Sequence, residues 1–250
     1  MLFNTLRLSG YKSHRGLCRE NNEDSFFVDD KVGVYVIADG MGGHEGGEVA
    51  SNIAVNTLGK IFSIFFGNGQ EKKIPQIIHK ALQEANDDII EMRKRNIELS
   101  NMGTTVVLAI FFNELVYYSH LGDSRAYLYD NKGMLIQLTT DDSLATEMVT
   151  QGIINENEVR THNLKNIVTK YLGTTHLIAP EVQYYHLGEG DCIILCSDGL
   201  TNMLDEREML SILKQNFSVG PQSICNNLVD LANKKGGYDN ITVIVIQSSS

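Results

Sequence analysis

The chain has 250 residues, 42% of them hydrophobic, with a formal net charge of −10 and a sequence pI near 5.1. That is enough for one sizeable core, and no composition break or Ser/Pro-rich linker divides residues 1–250, which read as a single globular unit. An acidic surface favours divalent cations over nucleic acid or anionic membrane. The longest apolar run, Val106 to Phe112, is too short to span a bilayer, and MLFNTLRLSG lacks a leader's basic-then-apolar order, so the expected location is the cytoplasm.

In chain order, strands are expected near 5–10, 25–30 and 33–38, then amphipathic helices at about 46–65 and 73–96. Segments 103–112, 115–121, 124–130 and 134–138 are apolar or alternating and are separated by turn residues, which reads as an antiparallel meander. A helix begins near Ser143, and the polar stretch 152–172 reads as a long loop of the kind that usually carries function. Strands near 181–187 and 191–197 flank Gly188-Glu189-Gly190 as a hairpin; helices at about 205–215 and 221–234 and a strand at 241–247 complete the chain. Strands grouped with strands, and helices with helices, indicate an α+β fold of antiparallel layers rather than a doubly wound parallel sheet. Cys18, Cys192, Cys196 and Cys225 form neither a CxxC pair nor a secreted-type framework and read as reduced thiols, with Cys192 and Cys196 on one strand face.

Four aspartates sit where an apolar strand meets a tight turn. VYVIADG carries Asp39, SHLGDSR carries Asp123, IILCSDG carries Asp198, and Asp239 opens DNITVIVI. Each is an ordinary turn signal by itself. Together they are a set of acids delivered from remote segments onto apolar frames, where they would repel one another unless a cation lay between them. Hard divalent ions with oxygen ligands meet that need, and the glycine-rich turn after Asp39 lets the Gly40 backbone approach a ligand closely. Arg19, just before the strand expected at 25–30, offers a planar fork suited to phosphate, although a lone arginine among acids also reads as a surface ion pair. Glu23 and Asp24 beside it read equally well as solvated turn acids.

These residues carry a resemblance. Arg19-x-x-Asn22-Glu23-Asp24-Ser25, Ala38-Asp39-Gly40-Met41-Gly42-Gly43-His44, Met102-Gly103-Thr104-Thr105, Gly122-Asp123-Ser124-Arg125, Ser197-Asp198-Gly199-Leu200 and Gly237-x-Asp239-Asn240-Ile241-Thr242 occur in that order. They resemble the motifs of the metal-dependent type 2C (PPM) serine/threonine protein phosphatases in their compact bacterial form, over almost the whole chain.

The resemblance implies a four-layer α-β-β-α sandwich: two antiparallel β-sheets flanked by helix pairs, forming one catalytic domain over 1–250 with a flap at about 143–172. It implies two core ions, Mn²⁺ or Mg²⁺, and a third, weaker one. Asp39 would bridge the first two, with the Gly40 carbonyl on the second and Asp198 and Asp239 on the first; Asp123 and Asp198 would hold the third. Arg19 would bind the substrate phosphate, Glu23 and Asp24 would act through metal-bound waters, and a metal-bridging water would attack phosphorus directly. The implied partners are phosphorylated proteins, a serine/threonine kinase among them, with no nucleic acid, no membrane and a monomeric chain.

Three positions depart from the family pattern. Met41 stands where some members place a proton-donating histidine; His44, three residues on as in bacterial relatives, is a candidate for that role beside a structural one in the turn. Asp142 stands where histidine is usual, and Asn163 replaces the flap's usual proline. Arg160, His162, Lys165 and Lys170 either meet substrate from the flap or form a solvated face. Two rival readings are a phosphoprotein-binding module without turnover, which sits poorly with a complete ligand set, and a two-metal nuclease, which sits poorly with the acidic charge.

Overall fold

The computed structural model describes residues 7–42, 46–67 and 73–248. Two antiparallel sheets form its centre. One runs β1 (Arg7–His14), β11 (Ile241–Ser248), β10 (Cys192–Cys196), β7 (Arg125–Tyr129) and β8 (Leu135–Gln137) in spatial order. The other runs β2 (Asp24–Asp29), β3 (Val34–Met41), β5 (Val106–Phe112), β6 (Leu115–Leu121) and β9 (Gln183–His186), with the two-residue β4 (Gly103–Thr104) paired to the end of β3.

The central strands are apolar at nearly every position because both of their faces are covered. On β3, Val34, Val36 and Ala38 pack against α1 (Gly46–Gly67) and α2 (Ile74–Arg95), while Tyr35 and Ile37 face the opposite sheet. On β10, Cys192, Ile194 and Cys196 meet α6 (Glu206–Asn216) and α7 (Pro221–Lys234), while Ile193 and Leu195 enter the space between the sheets. Three apolar interfaces therefore make the four layers. Helix α1 is long and apolar enough to cross a membrane by length and composition alone, but Ala50, Ala54, Leu58 and Phe62 are spent on the core against the second sheet.

Helix ends follow local chemistry. Pro75 stands in the first turn of α2 and Arg93, Lys94 and Arg95 in its last, complementing the macrodipole. The single turn α5 (Asp198–Thr201) follows β10, and Asp205 and Glu208 form a reciprocal capping box on α6.

Two sequence expectations fail in the same way. Residues 103–138 are not one meander: β5 pairs with β6 and β7 with β8, but Gly122-Asp123-Ser124 carries the chain from one sheet to the other. Likewise β9 and β10 are not a hairpin, since β9 pairs with β6 while β10 lies between β7 and β11. The reason lies in their faces. Gln183 and Tyr184 of β9 are exposed, which suits an edge, whereas every residue of β10 is buried, which demands a central place. Asp191 fixes the crossover by accepting from Gly188 N at 2.8 Å and from Asn131 N, beyond β7, at 2.9 Å.

Nor is 152–172 wholly irregular. Helix α3 (Leu144–Thr150), capped by Ser143, precedes a single turn α4 (Glu156–Val159), and bridges Ser143–Val168 and Thr104–Leu172 tie the returning end to the body.

Helix α7 crosses β1 so closely that a Cβ at Gly10 would lie 2.3 Å from Gln222 N and 2.5 Å from Gln222 Cα. Backbone on a packed helix cannot yield cheaply. Gly10→Ala is expected to lower unfolding free energy by about 2 kcal/mol or more, read as a lower urea midpoint at unchanged m value.

Candidate active site

The antiparallel register of β2 and β3 sets Asp24 opposite Asp39, at one end of the second sheet. The Thr104-Thr105 pair holds the Asp39 backbone from the neighbouring segment: Thr105 N and Thr104 Oγ1 each donate to Asp39 O at 2.9 Å, and Asp39 N donates to Thr105 Oγ1 at 3.1 Å. Thr105 Oγ1 also lies 2.8 Å from Ser124 Oγ, so the same threonine ties the Asp39 strand to the turn that carries Asp123.

From the first sheet, β10 delivers Ser197 and Asp198, and Asp239-Asn240 enters β11. Glycine allows these ends to close on each other. A Cβ at Gly199 would lie 2.0 Å from Asn240 O, and one at Gly40 would lie 2.0 Å from Gly47 O, at the start of α1. The Asp198 turn closes on the Asp239-Asn240 segment, and the Gly40 backbone on the start of α1, to distances that no other residue would permit.

Asp24 is buried, not a solvated turn acid. Its Oδ2 accepts from Ser197 Oγ at 2.8 Å and from Thr242 Oγ1 at 2.7 Å, while its buried Oδ1 has no partner. Asn240 pins the segment that carries Arg19: its amide donates to Arg15 O and Asn21 O at 2.9 and 2.8 Å, and its Oδ1 accepts from Glu23 N at 2.8 Å. Arg19 itself is half-exposed at the rim, donating to Asp239 Oδ2 at 2.8 Å and to Tyr238 O at 3.4 Å.

The acids raise one another's proton affinity. Asp24 is pushed up to about 7, first by burial, partly offset by its two hydroxyl donors, and further by Asp198 and Asp239. Burial lifts Asp123 to about 8, with repulsion from Asp198 and Asp141 behind it. Asp198 rises to about 6 through desolvation and Asp239, moderated by hydrogen bonds from the Asp39 carboxyl and Asn202. Asp39 is driven well above the usual carboxylate range by desolvation and by Asp24, Asp198, Asp123 and Asp239. Glu23 is raised by burial against the pull of Arg19.

The flap meets this cluster through Lys165, whose Nζ donates to Asn202 Oδ1 at 2.8 Å while Asn202 Nδ2 donates to Asp198 Oδ2 at 2.9 Å. Lys170 pairs with Asp142 at 2.5 Å, and Asp142 also accepts from Gly122 N, beside Asp123, at 3.2 Å. A separate cavity of about 330 Å³ lies behind it, lined by His120, Asp142, Glu147 and Glu181 among others, and contains none of the five clustered aspartates.

The structure thus gathers Asp24, Asp39, Asp123, Asp198 and Asp239, with Glu23 and Arg19 at the margin. His44 lies outside the described residues. Ser197, Thr242 and Thr105 stand in the quoted motifs without a role, and Asn202 escaped the sequence reading altogether; the usable signal was a hydroxyl or amide within a few positions of an acid at a strand end.

Among the described residues, no group of three or more His, Cys, Asp or Glu side chains is arranged to hold an ion as it stands. The donor set nevertheless fits a hard divalent cation. It is all oxygen, it carries several carboxylates whose charge burial and crowding disfavour, and the orphaned Asp24 Oδ1 faces no donor from the protein.

A family model described as Protein phosphatase 2C matches residues 13–232. The chain belongs to the protein phosphatase 2C family. Among relatives, the serine/threonine phosphatase stp of Listeria innocua is 36% identical over 240 residues, 95% of this chain and 94% of that protein. The crystal structure of the Mycobacterium tuberculosis serine/threonine phosphatase PstP/Ppp superposes with a TM-score of 0.88 at 30% identity, covering 98% of this chain and 99% of that one. A structure of the catalytic domain of serine threonine protein phosphatase PstP in complex with two manganese ions gives a TM-score of 0.86 at 30% identity, with coverage of 98% and 99%. This phosphatase 2C chain is accordingly a metal-dependent protein serine/threonine phosphatase, and its α+β sandwich is the fold of those relatives.

Raised carboxylates set a sign for pH. An acid whose folded value exceeds the usual 3.8 contributes stability in full below that value and loses it as pH rises through the folded value, here about 6 for Asp198, 7 for Asp24 and 8 for Asp123. The melting temperature of the metal-free phosphatase is expected to fall from about pH 5 to about pH 8, with a shallower slope for Asp123→Asn, and Mn²⁺ is expected to raise it most at the alkaline end. A metal-free melting temperature that climbs over that interval would contradict the assignment.

Proposed function

We propose that this phosphatase removes phosphate from phosphoserine and phosphothreonine in proteins at the aspartate cluster, as one catalytic domain over 1–250 with the flap at about 143–172. Asp39, the Gly40 carbonyl, Asp198 and Asp239 would hold two Mn²⁺ or Mg²⁺ ions, and Asp123 with Asp198 a third, weaker one. The observation that carries this reading is the convergence of mutually repelling carboxylates from both sheets beside one rim arginine. The two manganese ions named in the PstP structure support it.

Bound in this way, such ions lower the pKa of water toward neutrality and offset charge on the phosphate oxygens. The residues of the chain do the rest. Ser197 and Thr242 fix the Asp24 carboxylate, and with Glu23 it is suited to orient water at the cluster. Thr104 and Thr105 fix the Asp39 backbone, and Asn240 fixes the Arg19 segment, so that the guanidinium fork is held at the rim to receive phosphate oxygens. Positioned groups that cannot relax away from a doubly charged phosphoryl group are the protein's main contribution in such transfers.

A bacterial signalling role opposing a serine/threonine kinase, as a cytoplasmic monomer, follows from the same reading. The relatives' names support the signalling part, and the chain's acidic balance disfavours an anionic membrane as partner.

Manganese-dependent phosphate release from a phosphothreonine peptide tests it. Wild type should be active and silenced by chelator, Asp39→Asn should lose about 100-fold or more in kcat, and Arg19→Lys should raise KM roughly tenfold. An Asp39→Asn enzyme of undiminished activity would overturn the metal assignment.

A further inference from the structure

Beside Arg19 the surface carries two exposed apolar side chains among charged ones. Leu17 is 65% exposed and Tyr238 64% exposed, two large apolar groups on the rim of an otherwise acidic site. They belong to two segments hydrogen-bonded into one unit: Leu17 N and Cys18 N both donate to Gly237 O, at 2.7 and 3.3 Å, and Arg19 Nε donates to Tyr238 O at 3.4 Å.

Two glycines let that unit form. Gly236 and Gly237 have φ of +138° and +52°, and a Cβ on Gly236 would lie 2.7 Å from the Tyr238 ring while one on Gly237 would lie 3.0 Å from Leu17 Cγ. The bare turn therefore lies against both the tyrosine ring and the leucine side chain. The backbone that supports them is the backbone that anchors Arg19 and Asp239, so both are held at a fixed offset from the guanidinium.

Exposed apolar groups are common singly, but these two are held against one glycine turn at the mouth of a charged site. We propose that Leu17 and Tyr238 form an apolar platform that takes the side chain adjacent to the phosphoresidue of a protein substrate, selecting phosphosites flanked by an apolar residue. The inference rests on Arg19 as the phosphate anchor, because continuity with that anchor defines the occupant. A phosphate on the Arg19 fork leaves the neighbouring peptide positions over the platform. The platform carries no charge, so it adds nothing to capture of phosphate itself; it discriminates among peptides. Tyr238 supplies wide, stiff contact area at low entropic cost, with a hydroxyl that stays in water.

The test uses the full chain with Mn²⁺ and three substrates: p-nitrophenyl phosphate, a phosphothreonine peptide with leucine on both sides of the phosphoresidue, and the same peptide with serine at both positions. Wild type should show a KM roughly fivefold lower for the leucine peptide. Leu17→Ser and Tyr238→Ser should each bring the two peptides toward equal KM, Tyr238→Phe should keep the preference, and all three should turn over p-nitrophenyl phosphate within about twofold of wild type. Equal KM for the two peptides in wild type, or serine variants that keep the preference, overturns the platform. So does a loss of p-nitrophenyl phosphate turnover as large as the loss on the leucine peptide, since that would mark a structural defect at the turn. A wild type inactive on all three substrates would instead overturn the proposed function.

Discussion

Several carboxylates crowded at one end of a two-sheet sandwich are an electrostatic liability, and much of the local structure around them answers it. Taking a carboxylate out of water costs several kcal/mol even after relaxation, whereas a hydrogen bond to a charged group returns only about 1.5–3 kcal/mol. Ser197 and Thr242 on Asp24, Asn202 on Asp198 and the backbone around Asp39 therefore cannot balance the cluster by themselves. Without a cation the balance is struck by protons, which is why Asp24, Asp39, Asp123 and Asp198 all lie above their ordinary range. A divalent ion in place of those protons satisfies more oxygens with more charge, and the chain's negative balance does nothing to repel it.

Such a cluster must be held from outside, because its members push apart. The three apolar interfaces supply the rigidity: each strand that delivers an acid is clamped on both faces, so its end cannot drift. Close backbone approaches at Gly40 and Gly199 then set the spacing, and Asn240 links the Arg19 segment to the start of β11. The flap reaches the same centre less firmly, through Lys165 and Asn202 to Asp198 and through Lys170 and Asp142 to the Asp123 turn.

The elements were legible because apolar runs, turn residues and helix periodicity are local. Sheet membership was not. Gly122-Asp123-Ser124 and Gly188-Glu189-Gly190 look like hairpin turns, yet each carries the chain between sheets, since strand exposure and Asp191 decide the pairing and neither is visible in a turn motif. In the site, acids at strand ends stood out because charge is rare there. The supporting hydroxyls did not, because serine and threonine are ordinary in strands and turns, and only the fold brings Ser197 and Thr242 within reach of Asp24, more than 170 positions away. Burial of Asp24 itself was hidden by its polar neighbours Asn22 and Glu23.

The central claim is that these carboxylates share divalent ions, and anomalous diffraction at the manganese edge from crystals grown with Mn²⁺ tests it most directly. The account predicts adjacent manganese peaks with oxygens of Asp39, Asp198 and Asp239 and the Gly40 carbonyl at direct or single-water distance. A well-ordered crystal with no manganese among those groups, or with manganese only at unrelated surface acids, would contradict it.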